Sequence, residues 1–500
     1  MTIRQRNWQQ VADADYDVTI LGGGINGAAL FRQLARAGYR VLLLDRGDFA
    51  CGTSSASAMM IWGGLLYLKN LDIPTVLKFS RDRDALIDGC ADQIAAQQFA
   101  YLPNRQWGRS RHLVWMGLQL YWAMGRFRRS RPAARRIDDL RHFVRTEAVA
   151  EALLYQEGVL RHSDCRFLLE WILANQSDTA LALNYCQTEQ ADYSARDRCW
   201  RLALRDRIGG GEKEVQSRMV VNCAGVWLDE VNKRFGIESP VKHLFSKGVF
   251  VGYSRPDGHE QPLIFEMGEH GDTLTLIPWG PISLWGPTET MTPSVADGFR
   301  IEAADLHFLR RHAARNLTGT LADSTIVSLR CGVRPLAVAR SHAGMGYPLD
   351  ISRRHLLVED RARPWLSIYG GKISGCLSMA NEAAQAVARR TSAHGGAQPA
   401  QNWNADLRHC RFPGIAGEQP SIDWCIEEEF CTSLEDYLRR RTNIAQWVVR
   451  EGLGAADEHL PWLTAAAAQI AQHGGPGTAQ QLDGYRDKVR QGFDTLLAGI

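Results

Sequence analysis

No run in the 500 residues approaches the roughly 18 to 20 apolar side chains that a membrane-spanning helix needs. The longest candidate, Leu113 to Gly125, is too short and carries Gln119. The opening stretch, MTIRQRNWQQVADADYD, has no apolar core of the secretory kind, so export by that route is not expected. Charge of one sign is also scarce: the formal net charge is only +3, which argues for no polyanionic partner. No nucleic-acid-binding motif is present either, so nucleic acid is not expected as a partner. The 11 cysteines form no C-x-x-C pair. An odd, scattered set that includes Cys223, Cys331 and Cys376 reads as buried free thiols in a reducing compartment. Cys410, Cys425 and Cys431 cluster, but no histidine follows at ligand spacing, and no metal is assigned. With 45% apolar and 23% charged residues the chain has the composition of an ordinary folded protein, not a disordered or fibrous one. Its length exceeds what one core usually supports, so two or three domains are expected. The expected location is the cytoplasm, with any membrane attachment confined to the inner surface.

What is present begins at Tyr16, in YDVTILGGGINGAALFRQLARAGYRVLLLDRGD. Asp17 to Leu21 is a short apolar run of the kind that forms a buried parallel strand. Gly22, Gly24 and Gly27 follow in G-x-G-x-x-G spacing, then an Ala/Leu-rich helical stretch to about Ala37. Gly38 ends that helix, and Val41 to Leu44 reads as a second strand. Asp45 closes it, 18 residues beyond Gly27. The first glycine permits a tight turn, the second lets a pyrophosphate approach the backbone, and the third lets helix pack on strand. The helix N-terminus offers unpaired N–H groups to phosphate, and Asp45 can accept hydrogen bonds from ribose hydroxyls. Strand, glycines, helix, strand and acid in register specify a dinucleotide, without choosing which.

The chain continues DRGDFACGTSSASAMMIWGGLLYL. This stretch resembles the FAD-dependent glycerol-3-phosphate dehydrogenases, which place T-S-S-A-S and G-G-L-x-Y-L around the flavin. The likeness recurs in order along residues 15–450: VVNCAGVWLDEV at 220–231, IPWG at 277–280 with LWGPTE after it, CGVRPL at 331–336, IYGGKISG at 368–375, and EEEFCTSLEDYLRRRTNIAQW near the end. The resemblance implies noncovalent FAD and an α/β chain. Its Rossmann-like FAD-binding domain (15–75, 145–235 and 330–395) would interleave with a mixed α+β substrate domain (76–144 and 236–329). A C-terminal helical domain would occupy 400–500. It also implies hydride transfer from a small substrate to the flavin, and for several members a membrane surface and quinone as partners. The implied cofactor residues are Gly22, Gly24, Asn26, Gly27, Asp45, Arg46, Thr53, Ser54, Ser55, Gly63, Gly64, Ala224, Gly225, Gly371, Lys372 and Ile373.

A flavin dehydrogenase needs a proton acceptor for the substrate hydroxyl, positive charge beside the flavin and, for anionic substrates, a basic cradle. Arg334, between Val333 and Pro335, suggests a rigid strand end from which a guanidinium can be aimed. Arg353 lies where the resemblance puts a second substrate arginine, and Tyr67 keeps the family's aromatic hydroxyl. Lys372, after Gly370-Gly371, sits near a predicted helix start.

Departures from the family pattern shape the substrate reading. After S-S-A-S the family carries lysine, histidine and arginine where this chain has Met59, Trp62 and Leu66, and its K-G-S-H becomes Lys247-Gly248-Val249-Phe250. With Trp279, these apolar residues are the expected pocket wall. Each lost charged hydrogen bond removes roughly 1.5–3 kcal/mol of anion binding. Two losses approach a thousandfold in affinity, at about 1.4 kcal/mol per decade. A larger or less charged substrate than glycerol-3-phosphate is therefore expected, with one anionic end read by Arg334 and Arg353. The missing histidines leave Lys372, His243 or a water as base. Amine oxidation of an amino acid, and a flavin-binding protein without catalysis, stay open as alternatives.

Between Gln93 and Ile137 lie nine arginines and no acidic residue. LVWMGLQLYWAMG is interleaved with them, its apolar residues recurring at helical spacing. This reads either as an interfacial helix on anionic lipid or as a core helix with a solvated basic loop.

Overall fold

The computed structural model describes residues 1–499 apart from 13, 107–108, 148, 150, 268–271, 323–324, 343, 345–350, 352 and 405. The predicted nucleotide unit forms as read: strand Tyr16–Leu21, helix Ile25–Arg36, strand Val41–Leu44. These strands lie in the middle of a sheet ordered 356–359, 365–369, 212–222, 16–21, 41–44, 180–183. The pairings from 365–369 through to 180–183 are parallel. Such strands are buried on both faces, which is why they read as continuous apolar runs. Successive residues of Val41–Leu44 divide between two cores: Val41 and Leu43 pack with helices 25–36, 164–173 and 376–388. Leu42 and Leu44 pack with Trp200, Leu202 and Trp365 beneath an antiparallel ribbon of 186–194, 199–206 and 212–222.

A second sheet of ten strands carries the other half of the site. Its spine is the pairing of Val241–Ser254 with Ile326–Ala339, two 14-residue antiparallel strands. Met60–Ile61, Glu151–Leu160 and Ile326–Ala339 belong to this sheet, so segments within the ranges 15–75, 145–235 and 330–395 contribute strands to both sheets. The cause is long-range pairing: Glu151–Leu160 runs antiparallel to Ile94–Leu102, a partner that a strand's own pattern does not reveal. Arg334 is likewise not at a strand end. It stands mid-strand opposite Ser246, and Pro335 is tolerated because Ile326–Ala339 pairs on one side only.

The C-terminal segment begins with a short hairpin, His409–Arg411 with Glu418–Pro420, and then turns helical at 422–428, 460–472 and 478–489. Its apolar faces share one core with Val249, Val251 and Trp285 of the second sheet. A buried ion cluster ties it to the nucleotide unit: Asp48 accepts from Arg440 Nε and Arg441 Nη1, each at 2.6 Å, and from Asn184 at 2.8 Å. The polar helix Ile3–Gln10, which apolar patterning passes over, is held by Arg4 against Asp206.

Candidate active site

One elongated cavity of about 960 Å³ runs from the Asp45 end of the nucleotide unit to the second sheet. At its start the backbone has no room for side chains. Gly22 has φ +109°, and a Cβ there would lie 2.6 Å from the carbonyl oxygen of Cys223. Gly24 begins the helix Ile25–Arg36, whose Ile25 N–H donates to Ser54 Oγ at 2.9 Å. Asp45 accepts from Gly23 N–H at 2.7 Å and Gly47 N–H at 2.9 Å, and burial raises its carboxyl to about 6. Arg46 packs on the ring of Trp227, 4.9 Å from its centroid.

At the other end the strand Trp365–Tyr369 breaks at Gly370 and Gly371, both with positive φ. Asn26 Nδ2 donates to the Gly370 carbonyl at 3.0 Å, so the helix after the glycine loop fixes this second turn. A Cβ at Gly371 would meet the Asn26 side chain. Lys372 then caps the turn Ile373–Gly375, ahead of helix Cys376–Ala388. Its ammonium lies over Tyr67, 4.7 Å from the ring centroid, and Lys372 lines the cavity. Burial, together with Arg353 and Arg334, pushes the Lys372 pKa well down.

Arg334 and Arg353 meet across one carboxylate. Glu289 Oε2 lies 3.3 Å from Arg334 Nη1, Oε1 lies 2.9 Å from Arg353 Nη2, and Ser246 Oγ donates to Oε1 at 2.5 Å. Burial opposes the charge on Glu289, but the two guanidiniums outweigh it and hold the carboxyl below its usual range. The Arg334 guanidinium lies across Gly248, where a Cβ would come within 2.6 Å of Cζ. The neighbouring Arg354 turns away to Asp72 and Thr75. Phe250, Trp62 and Leu66 line the same end as an apolar wall.

The cavity thus gathers Gly22, Gly24, Asn26, Asp45, Arg46, Thr53, Ser54, Ala224, Gly225, Gly371, Lys372, Ile373, Arg334, Arg353, Trp62, Leu66 and Phe250. Other expected residues lie behind its wall. Gly27 packs against Gly22, and Ser55 Oγ donates to the Gly52 carbonyl. Gly63 N–H donates to buried Glu157, while Gly64 makes a left-handed turn beside Tyr67 and Phe79. Tyr67 supports Lys372 without facing the cavity itself. Met59 is fully buried in the core, and its neighbour Met60 takes the cavity position. Trp279 donates to the His162 carbonyl and packs edge-on against Trp447. His243 is not a free base: its Nε2 accepts from Gly370 N–H at 3.0 Å. Sequence reasoning missed Glu289, although it ends the LWGPTE segment and an acid there was a signal.

These features fit an adenine-flavin dinucleotide. The glycine turn and the helix N-terminus stand midway, an acid placed where a ribose would lie at one end, and Lys372 beside an aromatic-lined end at the other. A family model described as FAD dependent oxidoreductase matches residues 17–373. The aerobic glycerol-3-phosphate dehydrogenase of Staphylococcus epidermidis is 26% identical over 404 residues, covering 76% of this chain and 68% of that protein. That of Staphylococcus aureus is 25% identical over 450 residues, 85% of this chain and 76% of that one. Among solved structures, the glycerol-3-phosphate dehydrogenase of Bacillus halodurans complexed with FAD superposes with a TM-score of 0.72 at 16% identity, covering 98% of each chain. Glycine oxidase of Geobacillus kaustophilus does so at 0.54 and 19% identity, over 76% of this chain and 96% of that one. Built on this dinucleotide fold and using FAD as its cofactor, the chain belongs to the FAD-dependent oxidoreductases.

Proposed function

We propose that this enzyme oxidises a small hydroxy compound with one anionic end and an apolar body, and that the compound is not glycerol-3-phosphate. The observation that carries this reading is the composition of one cavity end. Arg334, Arg353 and Lys372 face it together with Trp62, Leu66 and Phe250. The guanidiniums bind and orient the anionic end, and the apolar wall excludes water from the carbon to be oxidised. Lys372, its pKa lowered by burial and by both arginines, takes the hydroxyl proton. FAD, when bound, supplies the hydride acceptor. With His243 sealed against Gly370, Lys372 is the base this geometry offers. Anaerobic bleaching of the holoenzyme's flavin absorbance tests the reading with a panel of hydroxy acids, glycerol-3-phosphate and amines. Bleaching by monoanionic hydroxy compounds is expected. Efficient turnover of glycerol-3-phosphate would overturn the substrate reading, and bleaching by amines alone would replace it with amine oxidation.

We further propose that helix Arg111–Met124 rests on an anionic membrane surface, from which quinone takes the electrons. The helix buries Leu118 and Tyr121 but leaves Leu113, Met116 and Leu120 on one face at 53%, 61% and 49% exposure, with Phe127 beyond at 60%. One side of the helix packs and the other does not. Five of the nine arginines are already paired, Arg111 with Glu151, Arg128 and Arg129 with Asp88, Arg135 with Asp139 and Arg136 with Asp138. Charge attraction therefore rests on the others, Arg126 and Arg131 among them, and apolar insertion carries most of the affinity. Among the described residues no helix is long and apolar enough to cross a membrane. Flotation with vesicles containing anionic lipid tests this, and failure to float with them would overturn it.

A further inference from the structure

We propose that Glu289 sets the charge of the substrate: it pairs with both cavity arginines, so this end takes monoanions such as 2-hydroxycarboxylates and rejects phosphate dianions. The inference rests on the preceding reading that Arg334 and Arg353 face the substrate. Glu289 is itself a wall residue of the cavity, and its two oxygens face different guanidiniums, at 3.3 and 2.9 Å. Ser246 fixes the carboxylate from the opposite strand. The arrangement is sterically constrained, because Arg334 is pressed over Gly248 and the Arg353 side chain is largely buried. Two arginines alone would present two positive charges, matching a phosphate monoester at neutral pH. With Glu289 between them, and Asp272 also on the cavity wall and acting on Arg353, the cluster carries at most one net positive charge, which a carboxylate neutralises. A dianion would bring its second charge against Glu289, whose largely buried side chain is less screened than one in open water. Lys372 adds little positive charge of its own, since burial and the same arginines favour its neutral form.

The test uses FAD-loaded enzyme and two small probes, acetate and inorganic phosphate at pH 8, titrated against the flavin absorbance spectrum. Wild type should bind acetate more tightly than phosphate. In Glu289→Gln, which keeps the size and one acceptor oxygen but not the charge, phosphate should tighten at least tenfold relative to acetate. Ser246→Ala, which loosens the carboxylate without removing it, should shift the ratio in the same direction by less. A phosphate-to-acetate ratio unchanged in both variants overturns the role of Glu289 while leaving the anion site intact. If neither anion perturbs the flavin of wild type or variants, the arginines do not face substrate, and the functional reading falls along with the inference. Should Glu289→Gln not yield holoenzyme, Ser246→Ala decides alone: an unchanged ratio overturns the proposal.

Discussion

Asp48→Asn should loosen the grip of the C-terminal helices on the cofactor loop. Asp48 is buried and has no water to fall back on. Its oxygens receive Arg440 Nε, Arg441 Nη1 and Nη2, and Asn184 Nδ2 at 2.6, 2.6, 2.8 and 2.8 Å. Breaking a buried pair by removing one partner costs about 3–5 kcal/mol. Arg440 retains Asp436 at 2.6 Å, whereas Arg441 would keep only the carbonyls of Glu429 and Phe430. One guanidinium is thus stranded rather than two, and the asparagine still accepts a hydrogen bond, which places the loss near the lower end, about 3 kcal/mol. Because Asp48 lies three residues beyond Asp45, the adenosine end of the cavity should loosen as well. Urea unfolding followed by flavin fluorescence should show cofactor release at lower denaturant than in wild type. The arginines hold the Asp48 carboxyl below its usual value against the opposing effect of burial. Its contribution is therefore complete above the unfolded value of about 3.9 and is lost as pH falls below it. The variant should lack that acid-induced loss. A stability within 1 kcal/mol of wild type, with unchanged cofactor release, would refute the reasoning.

Three further outcomes follow from the same contacts. Lys372→Met should slow flavin bleaching by about 10²–10⁴-fold. The wild-type rate should rise with pH through a value well below 10.5, because the deprotonated amine is the active form and burial favours it, whereas the variant's rate should be flat. Gly248→Ala should displace the Arg334 guanidinium, raising KM for anionic substrates about tenfold or more while FAD content stays normal, as assayed by steady-state kinetics and cofactor absorbance. Replacing Leu113, Met116 and Leu120 together by serine should abolish vesicle flotation, each side chain giving up a share of about 1.5–3 kcal/mol of burial. Activity with a soluble electron acceptor should remain.

The sequence alone determined the nucleotide unit, because its constraints are local. Gly22 and Gly27 are needed where backbone approaches backbone, Gly24 lies against the Ser54 hydroxyl, and Asp45 follows at a spacing set by one helix and one strand. Lys372 and Arg334 were legible for a similar reason, since each sits in a short motif that fixes its own turn or strand. Tertiary structure decided what faces the cavity. Met59 and Trp279 carry the right chemistry but point into packed cores, and His243 spends its ring nitrogen on Gly370. Glu289 and Arg353, 64 positions apart, became one ion cluster only when separate strands and loops converged. In the arginine-rich stretch, Arg111, Arg128 and Arg129 pair with carboxylates that lie elsewhere in the chain, Glu151 and Asp88. A side chain's type is written in the sequence, but its partner is set by distances through space, and these the chain acquires only on folding.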